Sequence, residues 1–176
     1  MSVERLALEV LIDRCLRGDD GSDCFREGDA YRVRLWGNLP DGWTGHFALH
    51  AGALGLEIVA GEAICVSGER WAATFIVRTS DPGTPMARHD FLHMARLAPR
   101  VVPPLPEPDV EIALDGAPGG TSGVVARVTG KNTIGLLAGV MRRFEASSLR
   151  PREFSIRTMQ DQVDDWFWLE PMSPRE

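Results

Sequence analysis

Asn38-Leu39-Pro40-Asp41-Gly42-Trp43 joins two segments of different period. Before it, Tyr31-Arg32-Val33-Arg34-Leu35-Trp36 alternates apolar with polar and reads as a strand with Tyr31, Val33 and Leu35 on one face. After it, Trp43, Phe47, Ala51 and Leu54 recur at steps of four and three, which predicts a helix stopped by Gly55. The Pro and Gly between them mark a tight turn. The same three parts return 93 residues later, where Val124–Val128 leads through Lys131-Asn132-Thr133-Ile134-Gly135-Leu136 into a helix ending near Phe144. At that offset Leu35 falls on Val128, Gly42 on Gly135, Trp43 on Leu136, Phe47 on Val140 and Ala51 on Phe144. Self-similarity of this kind organises the reading of the whole chain.

Around the first turn, Leu56–Val66 reads as a second strand, Ser67-Gly68 as a hairpin turn, and Glu69–Arg78 as a third strand with Trp71, Ala73, Phe75 and Val77 on one face. Thr84 and Pro85 then suit the cap and first position of a helix running to about Leu97. Four prolines between Val101 and Asp109 give a linker, and Val110–Leu114 alternates as a fourth strand ended by Asp115-Gly116. Strand, helix, strand, strand, helix, strand is the order of a ferredoxin-like α+β sandwich, with helices on one face of an antiparallel sheet. In the second copy Arg152–Thr158 and Val163–Leu169 supply the second and third strands after a slip of about one residue, and no second helix or fourth strand follows. The domain reading is therefore residues 1–29 as an N-terminal helix and acidic loop, 30–116 as a complete sandwich, and 117–176 as an incomplete one. A three-stranded sheet with one helix leaves part of its inner face bare. The helix Ser2–Leu16, with a broad apolar stripe and Ser2 as its cap, is the expected cover, and Arg17–Asp23 is expected to be an exposed loop.

Hydrophobic residues at 44% and charged residues at 25% are ordinary globular values. A net charge of -6, with Lys131 the single lysine, argues against a nucleic-acid-binding surface. Cys15, Cys24 and Cys65 are odd in number and lack CxxC spacing, so neither a disulfide framework nor a zinc ribbon is expected. No run approaches the roughly 18 apolar residues of a membrane span, and no signal peptide is visible, so a soluble cytoplasmic protein without membrane contact is expected.

Both repeats resemble the ACT domain, a small ferredoxin-like module that binds amino acids and regulates enzymes. The signature is a strand, a turn like Asp-Arg-Pro-Gly-Leu-Leu, and a helix. Asn132-Thr133-Ile134-Gly135-Leu136-Leu137-Ala138 is close to it, and Asn38-Leu39-Pro40-Asp41-Gly42-Trp43 is looser, with one extra residue between Pro and Gly. The likeness covers roughly residues 30–170, and the layout is similar to the C-terminal ACT pair of bacterial nitrogen-sensing uridylyltransferases and to the two-ACT glycine cleavage repressors. It implies a non-enzymatic regulatory protein, with no cofactor, that holds an amino acid or similar small metabolite at the turns. The ligand-binding residues would be Asn38, Leu39, Pro40, Asp41, Gly42 and Trp43 in one turn and Asn132, Thr133, Ile134, Gly135 and Leu136 in the other. Asn stands where the signature has Asp, and Asn accepts a hydrogen bond but carries no charge for a ligand ammonium. Exposed sheet faces and edges make a homodimer the expected assembly. The alternative is a ligand-free interaction module that uses its sheets only for assembly.

Other clusters have plainer readings. The i, i+4 pairs His46/His50 and His89/His93 could face a metal, but His89 and His93 fall opposite Phe91 and the pairs do not converge, so no metal site is expected. Asp161, Asp164 and Asp165 suit a hairpin and lack a nucleophile or basic partner, so no catalytic residue is assigned. In Trp166-Phe167-Trp168, alternation forces at least one Trp onto the outer sheet face.

Overall fold

A computed structural model describes residues 3–102, 104–105, 107–116 and 122–173, with side chains from Leu8 onward. The protein is α+β. Eight strands form one antiparallel sheet and, among the described residues, four α-helices accompany it. The helices and strands are α1 (Val3–Leu16), β1 (Gly21–Glu27), β2 (Ala30–Asn38), α2 (Trp43–Ala53), β3 (Leu56–Ser67), β4 (Arg70–Thr79), α3 (Phe91–Arg96), β5 (Val110–Gly116), β6 (Val124–Lys131), α4 (Leu136–Ala146), β7 (Leu149–Met159) and β8 (Gln162–Pro171).

The strand order β1-β2-β4-β3-β7-β8-β6-β5 reads the same from either end once the repeat is recognised. The two halves join where β3 pairs antiparallel with β7. Glu62 lies opposite Ser155, and these are equivalent positions of the two copies. Their flanking pairs, Gly61 with Ile156 and Ala63 with Phe154, exchange under the same offset. A pseudo-two-fold axis therefore passes through the Glu62–Ser155 pair. Backbone conformation follows the repeat as well. Gly42 and Gly135 precede their helices at φ of 81° and 82°, Gly37 and Gly130 are the next-to-last residues of their strands at 123° and 152°, and Gly55 and Ser148 follow their helices at 70° and 55°. The slip of one residue is accounted for in the strands after the helices, since β3 has 12 residues and β7 has 11.

One core runs through both halves. Leu35 and Val128 are fully buried, as are Phe47 and Phe75, whose rings stack at 4.7 Å. Phe154 bridges the halves, with ring contacts to Trp43, Trp71 and Phe75 on one side and Phe167 on the other. The helices α2 and α4 pack together on this face, close enough that Gly45 faces Met141 across the axis.

Several expectations change. The stretch Arg17–Asp23, read as an exposed loop, runs at Gly21 into β1, which continues to Glu27 and pairs with β2 from Gly21↔Trp36 to Glu27↔Ala30. Its side chains do not alternate apolar and polar. The strand is held by its backbone ladder and by cross-strand ion pairs, Arg34 with Asp23 and Arg32 with Glu27. The strand Val110–Gly116 pairs with β6, not with the first half, so each half carries its extra edge strand before the repeat rather than after it. The second half accordingly has four strands, not three.

The helix α1 does not cover the inner face of the second half. Leu11 and Cys15 pack on Trp36 and Ala72, on the opposite face of the first half, with Leu8 and Ile12 partly buried beside them and Val10 half exposed. Arg70 anchors its end, donating to the carbonyls of Cys15 and Asp19, and Arg14 lies 4.5 Å over the Trp36 ring. Ser2, Pro103 and Pro106, as well as residues 117–121, lie outside the described residues.

The helix expected from Thr84 to Leu97 is a short 3-10 turn at Met86–Arg88 followed by α3, which Asp90 caps through the His93 N–H. Among the described residues no helix is long and apolar enough to cross a membrane.

Candidate functional site

A turn that begins a helix with a left-handed glycine turns the chain sharply and leaves the first helical N–H groups facing outward. Both turns are built alike. Trp43 N–H donates to the Pro40 carbonyl and Leu136 N–H to the Thr133 carbonyl, while His46 and Gly139 return to Gly42 and Gly135. The neighbouring hairpin fixes each turn from the side, through Leu39 N–H to Glu69 and Asn132 N–H to Asp161. The two turns therefore match residue for residue, with Asn38 and Lys131 each ending its strand, so the extra residue expected between Pro40 and Gly42 is absent and the two Asn residues of the motif do not coincide. Leu39, fully buried, occupies the place of Asn132.

Each turn faces the end of the other copy's helix, and a cleft opens at each junction. The second-turn cleft has a volume of about 410 Å³ and is walled by Asn132–Leu137 on one side and Ala48, Gly52 and Leu56–Ile58 on the other. The first-turn cleft, about 300 Å³, is walled by Asp41–Thr44 against Met141, Glu145 and Leu149–Pro151. Ala48 and Met141, Gly52 and Glu145, Leu56 and Leu149, and Glu57 and Arg150 are equivalent residues under the pseudo-two-fold. The larger side chains at Met141 and Glu145 narrow the first-turn cleft. One polar bridge spans each. Asn132 Nδ2 donates to Glu57 Oε1 at 3.1 Å, and Arg150 Nη1 donates to Asp41 Oδ2 at 3.3 Å.

Of the residues assigned from sequence, Asn132, Thr133, Ile134, Gly135 and Leu136 all line the second-turn cleft. Asp41, Gly42 and Trp43 line the first. Asn38, Leu39 and Pro40 line neither: Asn38 is exposed, its N–H donating to Asp20 and its carbonyl accepting from Arg96.

The sequence reading missed Asp165. It is 3% exposed, lines the second-turn cleft, and accepts a hydrogen bond from the Arg157 N–H at 3.0 Å. Burial pushes its carboxyl up to about 7, the Arg157 N–H opposes this, and the neighbouring Asp164 carboxylate adds to it. Thr158, in the same wall, has a buried hydroxyl oxygen with no hydrogen-bond partner. The alternation Val163, Asp165, Phe167, Leu169 carries the signal, since it places Asp165 on the apolar face of β8.

The other two aspartates follow the plain reading. Asp161 is an exposed residue of the β7–β8 turn. Asp164 pairs with Arg127 on the outer face, and that guanidinium holds its carboxyl below the usual carboxylate range. Both Trp166 and Trp168 lie on that outer face, and Trp166 is 44% exposed beneath Arg127.

His50 hydrogen-bonds the Leu97 carbonyl, and the described residues hold no group of three or more metal-ligating side chains. Cys15 is buried and donates its S–H to the Trp71 carbonyl. Compared against protein families, curated proteins and solved structures, the chain matches none of them.

Proposed function

We propose that this is a tandem ACT-type regulatory protein without catalytic activity, in which the two turn–helix clefts hold an amino acid or a similar small metabolite. Each half is a ferredoxin-like module whose fourth-strand place is taken by the strand preceding the repeat, β1 in one half and β5 in the other. One observation carries the reading: two clefts related by the pseudo-two-fold, each built from the turn of one copy and the helix end of the other. A ligand at either junction touches both halves at once, so binding would stiffen the α2–α4 interface and pass to a partner protein as a change in that rigidity. Helix N-termini favour the carboxylate of such a ligand, and Gly42 and Gly135 permit close backbone approach. Thermal-shift measurement with each of the twenty amino acids tests the proposal. At least one should raise the melting midpoint in a concentration-dependent manner, and a flat response across the set would remove the ligand from the account.

A second reading has an observation of its own. The outer face of the second half bears Trp166 and Trp168 and, among the described residues, no helix lies over it, whereas α1 covers part of that face in the first half. A ligand-free module that assembles through this face, as a homodimer or with a partner protein, fits that asymmetry. It predicts a stable dimer by light scattering, unchanged by any amino acid and lost in Trp166→Glu.

A further inference from the structure

We propose that the second-turn cleft, and not the first, selects a small aliphatic molecule bearing an ammonium group, with the Asp165 carboxylate as its counter-charge and the Thr158 hydroxyl as a second hydrogen-bond partner. The proposal rests on the reading of the clefts as small-molecule sites and assigns the ligand chemistry of one of them.

Asp165 is a buried acid that the fold does not call for. It lies opposite Val128 on β6, just as Ala73 lies opposite Leu35 on β2, so the equivalent position of the first half carries a methyl group. Among the described residues its one hydrogen bond is the Arg157 N–H, and no ion pair reaches it. The Arg157 side chain is exposed on the other face, and Arg127 is committed to Asp164 there. A buried carboxylate without a cation is costly, and a bound ammonium removes that cost. The Thr158 hydroxyl oxygen, buried and unpartnered in the same wall, is the second orphan.

The remaining charges at this cleft are Glu57, Asp161 and Arg78, with Arg78 directed toward Asp29 at 3.8 Å and half exposed. With Asp165 they leave the cleft acidic, which favours a cation. Leu56, Leu136, Leu137, Ile156 and Val163 supply aliphatic walls. The first-turn cleft differs in where its charges lie. Its two acids, Asp41 and Glu145, are exposed and Asp41 is paired with Arg150, so among its described lining residues it offers the buried, unpartnered Trp43 Nε1–H, a donor, and no buried carboxylate.

The test is a ¹H–¹⁵N correlation titration of the full chain at pH 8 with three matched probes: 3-methylbutylamine, 3-methylbutan-1-ol and 4-methylpentanoate. The amine should shift Arg157, Thr158, Leu136 and Leu137 saturably and bind roughly tenfold or more tightly than the alcohol, with the carboxylate weaker than both. Asp165→Asn should abolish the preference of amine over alcohol while leaving alcohol binding in place. An amine no tighter than the alcohol in the native chain, or a preference that survives Asp165→Asn, overturns the proposal. Equal binding of all three probes overturns the ammonium assignment and leaves the small-molecule reading standing. Probes that leave the cleft unperturbed also overturn it, and the amino-acid screen then decides the broader reading separately. Should Asp165→Asn lose its native dispersion, the amine–alcohol comparison in the native chain still decides.

Discussion

Asp165→Asn should stabilise the protein at high pH and leave it nearly unchanged at low pH. The folded carboxyl titrates at about 7 and the unfolded one near its ordinary 3.8, so the folded state holds the proton more tightly. Stability from this group is fully present below the unfolded value and is lost as pH rises toward and through the folded value. Between pH 5 and pH 8 the loss amounts to roughly 2 to 3 kcal/mol. Asn keeps the acceptor for the Arg157 N–H, nearly preserves the volume, and cannot ionise. Urea unfolding followed by tryptophan fluorescence at pH 5, 6, 7 and 8 reads the difference. With a urea slope of about 2 kcal/mol per molar, the variant's midpoint should draw ahead by about 1 M across that range. Comparing the two proteins at each pH removes the contribution of the four histidines, of Glu57, Arg78 and Asp161 at the cleft, and of Asp164 on the outer face. Parallel midpoints from pH 5 to pH 8 would show that Asp165 ionises freely in the folded state, and the argument from its burial would fall.

Three further substitutions test the architecture. Gly42→Ala and Gly135→Ala each put a Cβ at a left-handed φ and should each cost about 1 to 2 kcal/mol by chemical denaturation. Gly135→Ala should be the worse, because its Cβ meets Leu105 at 3.0 Å while that of Gly42 meets the flexible end of Glu145. A neutral result at both would contradict the shared turn geometry. Phe154→Ala removes the ring that joins the halves and should cost about 3 to 5 kcal/mol in a single cooperative transition, whereas two separated transitions would mean that the halves fold independently. Leu11→Ala should cost about 2 to 4 kcal/mol by unpacking α1 from Trp36 and Ala72, and a silent substitution there would place α1 elsewhere.

The parts legible in the sequence are those where local chemistry and burial agree. Leu35, Phe47 and Ala51 with their partners Val128, Val140 and Phe144 announce strand and helix by period, and all are buried. The turns are legible because glycine is needed at their φ. The illegible parts depend on long-range pairing. β1 reads as a loop because Asp23, Arg26 and Glu27 answer cross-strand charges and backbone groups instead of a core. Val110–Gly116 is visible as a strand, but its partner is not, because alternation carries no address. α1 carries apolar residues on several faces, so period alone does not choose Leu11 and Cys15 over Val10. The two clefts arise where one copy meets the other, and a repeat aligned along the chain does not show that its ends face each other. Asp165 was hidden by its neighbours, since Asp161 and Asp164 make the stretch look like an ordinary acidic hairpin.

The central claim is that a small molecule binds where the turn of one copy meets the helix end of the other. A crystal structure grown with the amino acid that gives the largest thermal shift tests this most directly. The account predicts density in the second-turn cleft, between Asn132–Leu137 and Gly52–Ile58, with the ligand ammonium against Asp165. Density on the outer sheet face beside Trp166, with both clefts empty, would contradict it.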